Sequence, residues 1–176
     1  MTPDSYNVGL LIIRLVVGLT LMAHGYNHLF GGGRIEGAAR WYGSMGLTPA
    51  RTQAWMSVIF EFASGAGLAV GFLTPFAASA AVGLMTVAGI VAHRPNGFFV
   101  FREGYEYVLM IAVIAVAVSI LGPGKYSFDH AFGFDTHYPF YGIWGAVVAV
   151  VLGLGGAVAL LVTSWKPPKP AAEQQG

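Results

Sequence analysis

From Phe62 to His93 the sequence carries no charged side chain. A soluble fold has no way to keep such a run out of water, and as a single helix it would overshoot a bilayer, which needs about 20 apolar residues. Thr74-Pro75 sits in its middle, and a proline drives the residue before it out of the helical region. The run therefore predicts two membrane spans back to back, about 53–73 and 75–93, with Glu61 as the one charge of the first. Three further stretches have the same character. They are about 8–30, whose one charge is Arg14; about 105–121, ending at Gly122-Pro123-Gly124; and about 140–164. The expected fold class is all-α, a polytopic membrane helix bundle.

Composition agrees. Of 176 residues 56% are hydrophobic and 10% charged, against about 25% charged in an ordinary soluble domain. A net charge of +1 gives no clustered basic face, so nucleic acid is excluded as a partner. Cysteine is absent, which removes disulfides, a thiolate nucleophile and thiolate-held iron–sulfur or zinc sites. The opening MTPDSYN has no Lys or Arg ahead of its apolar run, so a cleaved signal peptide is not expected.

Loop charges set the expected orientation. One face would hold Arg34, Arg40, Arg51, Arg94, Arg102, Lys166 and Lys169, the other only Lys125. Lys and Arg accumulate on the cytoplasmic side, so the N-terminus is expected outside and the C-terminus in the cytoplasm. The segment 166–176 is rich in proline and polar residues and reads as a disordered cytoplasmic tail.

Charges inside spans are costly and turn to the bundle interior or to a watery cavity. With this topology His24, Asn27 and His28 fall at the inner end of the first span. Glu61 lies about 12 Å into the second, at 1.5 Å per residue from Gln53. His93 ends the third span and Glu106 opens the fourth. Two carboxylates, three imidazoles and an amide thus gather at similar depth from four helices. His24, Asn27 and His28 share one helix face at i, i+3, i+4. Arg14 lies about 40° from His28 around the same axis, since fourteen steps of 100° total 1400°. It is expected to join this pocket, with Glu61 as its partner. The histidines admit three readings: an interfacial helix end, a proton- or quinone-handling site, or metal or haem ligation. An HxxxH pair can hold a metal but lacks the base of HExxH. The loop GPGKYSFDHAFGFDTHYP repeats an Asp/His pattern at Asp129-His130 and Asp135/His137, readable as a surface metal site or as a wet interfacial loop.

Four segments in order resemble the DoxX family of small bacterial membrane proteins: RLVVGLTLMAHGYNHLFGG, FEFASGAGLAVGFLTPFAA, HRPNGFFVFREGYEYVLM and GPGKYSFD. They span residues 10 to about 130. The resemblance implies a four-helix core over residues 1–130, to which 131–165 adds an outer loop and a fifth transmembrane helix suited to docking a partner. Where the family motif tends to end in lysine this chain has His28, which replaces a fixed cation by the side-chain type that changes charge near neutral pH. Relatives look like membrane subunits of redox systems: a thiosulfate:quinone oxidoreductase subunit, and oxidant-defence complexes with sulfurtransferase and superoxide dismutase partners.

Two functions are therefore expected. In one, the chain is a subunit of a redox-associated complex in the bacterial cell membrane. Glu61, His24 and His28 handle protons, and Arg14, Asn27, His93 and Glu106 complete a pocket for a quinone; haem or a metal is the weaker cofactor choice. In the other, the chain is a non-catalytic scaffold for soluble enzymes, and the polar groups join helices to one another.

Overall fold

The structure, a computed structural model, describes residues 3–168. The long helices lie over the five apolar stretches. They are α1 (Pro3–Phe30), then after the short α2 (Arg34–Ser44), α3 (Ala50–Val70), α4 (Thr74–Ala88) and α5 (Glu106–Leu121), and finally, beyond the one-turn helices α6 (Phe128–Ala131) and α7 (Phe134–His137), α8 (Ile143–Ser164). Among the described residues three helical stretches are long and apolar enough to cross a membrane: Asp4–Phe30, Thr74–Asn96 and Ile143–Ser164. The chain is an all-α polytopic membrane bundle. Of the C-terminal tail, 169–176 lies outside the described residues.

Small residues set the spacing of the helices. Gly18 on α1 and Gly65 on α3 meet backbone to backbone, and a Cβ on Gly65 would lie 2.6 Å from the Gly18 carbonyl. The same device joins α4 to α8: a Cβ on Gly83 would stand 2.9 Å from the Gly153 oxygen. In lipid, helices associate through such close packing rather than through hydrophobicity. The helix at 140–164 is thus no detached addition, since α8 packs along both α4 and α5.

The turn between α3 and α4 depends on Gly71, whose φ is +66° and against which the Arg14 guanidinium packs. Pro75 follows in the first turn of α4, where its missing N–H costs nothing. At its far end α4 continues through a π-turn, Gly89–His93. It stops at a 3₁₀ turn containing Pro95.

One element departs from the sequence expectation. The segment 31–52, read as a loop, contains α2. It carries Arg34, Glu36 and Arg40 among eleven residues, too short and too polar for a span. Ala38 and Ala39 fix it by packing on Ala54 of α3. The connection from α2 to α3 is also tied to the end of α8: Leu47 pairs with Trp165, Thr48 N donates to the Ser164 carbonyl at 2.8 Å and Lys166 N to that of Gly46 at 2.9 Å.

Candidate functional site

The C-terminal end of α1 faces the first half of α3. Gly25 permits the approach, since a Cβ there would lie 3.2 Å from the Cβ of Glu61. Gln53, Ser57 and Glu61 are all buried on α3. Their i, i+4, i+8 spacing makes one polar stripe toward α1 and α2. Nε2 of His28 lies 3.5 Å from Oε1 of Glu61 and 3.4 Å from the Tyr42 hydroxyl. Tyr42 donates its own proton to Ser57 Oγ at 2.8 Å, so Nε2 of His28 is the donor toward both the phenol oxygen and the carboxylate. His24 looks elsewhere, with Nε2 3.1 Å from the Tyr107 hydroxyl of α5.

Two features give this cluster chemical potential. Burial first, and then the charge of Glu61, push the Tyr42 phenol up to about 12 against the opposing effect of its bond to Ser57. Tyr42 therefore stays a neutral donor at physiological pH. Glu61 is only 5% exposed, and its Oε2 has no hydrogen-bond partner. Leaving a buried acceptor unpaired costs about 1–3 kcal/mol, so the fold tolerates a penalty at this atom.

Beside Glu61 lies a cavity of about 1010 Å³, lined by His24, Asn27, His28, Tyr42, Glu61 and His93 at its polar end. Small and apolar residues of α4 and α8 form the rest, among them Ala80, Gly83, Leu152 and Gly156. The π-turn brings Val91, Ala92 and His93 to the lining. Nδ1 of His93 donates to the Glu103 carbonyl at 2.7 Å, which fixes the tautomer and leaves Nε2 as the ring's acceptor when neutral.

Two expected members are not brought here. Arg14 is 1% exposed but sits at the opposite end of the bundle. It donates to the Tyr126 carbonyl and feels the charge of Asp129, not Glu61. Its angular match to His28 was real, but the two lie about 21 Å apart along α1 at 1.5 Å per residue. Glu106 is the first residue of α5, and its Oε2 accepts from Val100 N at 2.9 Å, closing the loop before α5 rather than lining the cavity.

The Asp/His loop is also structural. Asp129, fully buried, accepts from Leu73 N at 2.7 Å, Thr74 N at 2.9 Å and Thr74 Oγ1 at 2.6 Å. It caps α4 from 55 residues away, where the helix dipole favours negative charge. Burial and then the Asp129 carboxylate push the Tyr141 phenol upward. His130 pairs with Asp135 at 2.8 Å. Among the described residues no three His, Cys, Asp or Glu side chains converge to hold a metal ion.

The match to a family model decides the identity: residues 9–94 fit the DoxX family. This stretch, just under half of the chain, is a DoxX domain. The match is shorter than the 10–130 over which the sequence resemblance ran. It holds His24, Asn27, His28, Glu61 and His93 and stops before Tyr107 and α8. Comparison with curated proteins and with solved structures returned no match. Sequence reasoning missed Tyr42, Ser57 and Tyr107. The signal for Ser57 was in view, four residues before Glu61 on the same face. Tyr42 and Tyr107 join through tertiary contacts that spacing does not encode.

Proposed function

We propose that this DoxX protein is the quinone-binding membrane subunit of a redox-associated complex. The observation that carries the reading is Glu61, with one oxygen toward His28 and the other unpaired beside a large, mostly apolar cavity. A hydroquinone fits that chemistry: its hydroxyl donates to Oε2 of Glu61 while its ring lies against the apolar walls. A hydrogen bond to a charged group is worth about 1.5–3 kcal/mol. On two-electron oxidation of the head group, one proton would pass to the Glu61 carboxylate and the other to Nδ1 of His28, and both electrons to an oxidised redox centre of a partner subunit of the quinone oxidoreductase kind; partners of the sulfurtransferase or superoxide dismutase kind would dock without taking these electrons. In this reading the chain has five spans in the bacterial cell membrane, with the N-terminus outside and the cavity's polar end toward the cytoplasm. The Lys and Arg bias toward that end supports the orientation.

The test is equilibrium binding of a long-chain hydroquinone to the protein in lipid nanodiscs. Glu61→Gln keeps the shape and removes the charge, so affinity is expected to fall at least tenfold with the fold intact. Wild-type affinity in that variant would overturn the assignment.

A scaffold role is the second reading, favoured by the exposed Phe98, Phe99 and Phe101 in the loop before α5. In that case replacing Phe99 and Phe101 by serine releases co-purifying enzymes and leaves hydroquinone binding unchanged. Retention of every partner in that double variant counts against it.

A further inference from the structure

The lining of the cavity reaches the protein surface along two stretches of opposite character, and the difference bears on how a ligand arrives. α4 is its floor, with α3 on one flank and α8 on the other; both pack on α4. Along the gap between these flanks the lining residues are apolar and open to the surroundings: Phe60 of α3 is 44% exposed, Phe76 of α4 39% and Leu152 of α8 51%. Gly156 lies on the same gap, is exposed, and would carry a Cβ into open space, with no atom within 4 Å. At the polar end the opening passes the exposed His24, Asn27 and Arg34. There the clasp between α8 and the α2–α3 connection closes part of the rim, through Trp165 Nε1 donating to the Met45 carbonyl at 3.0 Å and the bonds of Thr48 and Lys166.

From this we infer that the cavity is loaded sideways from the bilayer, through a portal between α3 and α8 that the missing side chain of Gly156 keeps open. This rests on the quinone reading and narrows it. The ligand is a lipid-dissolved amphiphile whose apolar tail stays in the α3–α8 gap while its head reaches Glu61. The gap offers the tail no charge, and the Ser79 hydroxyl on its floor is already bonded to the Phe76 carbonyl at 2.7 Å. The wet opening past His24 serves protons and small polar solutes. Division of labour follows from the lining: a long hydrocarbon tail has no reason to cross Arg34 and the histidines, and a proton has no carrier between Phe60 and Leu152.

Gly156→Phe is the direct test, because the new ring enters open space instead of a packed interface. Gly155→Phe is the control, since Gly155 also meets nothing within 4 Å and does not line the cavity. Each is incorporated in nanodiscs and titrated with a long-chain hydroquinone and with its tailless, water-soluble analogue. Gly156→Phe should weaken the long-chain ligand at least tenfold and leave the tailless one within about twofold; Gly155→Phe should change neither. Gly156→Leu, a smaller plug, should give the same ordering with a smaller loss, and thermal unfolding checks that each variant is folded. Unchanged long-chain binding in folded Gly156→Phe overturns the portal while leaving the quinone reading intact. Equal loss of both ligands also overturns it, because the substitution would then have collapsed the chamber. A wild-type protein that binds neither ligand sinks the quinone reading and the portal with it.

Discussion

The bundle buries ionisable groups at both ends, and the two ends use them differently. Around Asp129 both carboxylate oxygens accept hydrogen bonds, from the Leu73 and Thr74 amides and the Thr74 hydroxyl. The Arg14 cation nearby is held by the Tyr126 carbonyl. Nε and Nη1 of Arg14 lack hydrogen bonds, but Nη1 packs on Gly71 and Arg14 does not line the large cavity. Around Glu61 one oxygen faces an imidazole at 3.5 Å and the other faces space large enough for a ligand. Burial of a charge alone therefore does not mark a functional site. What separates the ends is unused bonding capacity next to room for a molecule.

The strongest way to break this comparison is stability. Asp129→Ala leaves the Leu73 and Thr74 amides and the Thr74 hydroxyl without their buried acceptor, and at about 1–3 kcal/mol for each orphaned group the summed loss should be at least about 3 kcal/mol. Glu61→Leu removes a carboxylate that the fold satisfies only in part, so its cost should stay below about 1 kcal/mol. Denaturant or thermal unfolding in detergent measures both. A Glu61→Leu loss as large as that of Asp129→Ala would erase the distinction between the two ends.

A smaller effect is expected at the turn that seats Arg14. Gly71→Ala forces an L side chain to φ +66° and against the guanidinium, a strain of about 1–3 kcal/mol. The same unfolding experiment reads it, and hydroquinone binding at the other end should not change.

A smaller loss than that of Gly71→Ala is expected at Tyr42. Its folded pKa, about 12, lies above the ordinary value near 10. The stabilisation tied to the neutral phenol is therefore complete below pH 10 and is lost as pH rises toward 12. Tyr42→Phe should remove one phenol transition near pH 12 from an ultraviolet titration, at a cost of about 1 kcal/mol at neutral pH. An unchanged alkaline transition would show that Tyr42 is not the buried phenol of the cluster.

Much of the fold was legible because the bilayer imposes a coarse rule. A charge-free run broken by Thr74-Pro75 has few alternatives, and the helices lie over the stretches it marks. α2 was not legible: its eleven residues hold three charges and two glycines, and only Ala38 and Ala39 packing on Ala54 make it a helix. Within the site, His28 and Glu61 could be brought together because each helix sets depth by its rise. Arg14 was misplaced because an angular match around α1 was allowed to outweigh axial distance. Asp129 was read as a surface residue because the amides it caps belong to a helix far away in sequence.

The wall supplied by α8 has a consequence for how the protein is made. Synthesis runs from the N-terminus, so His28, Glu61 and Tyr42 emerge well before Leu152, Gly153 and Gly156. Until α8 inserts and Trp165 reaches Met45, a nascent chain holds the polar residues with one side of their chamber missing. A transcript truncated before residue 143 would yield a membrane protein with the family-matched segment entire and no enclosed place for a ligand. α8 thus closes the chamber only after the whole family-matched segment has been made.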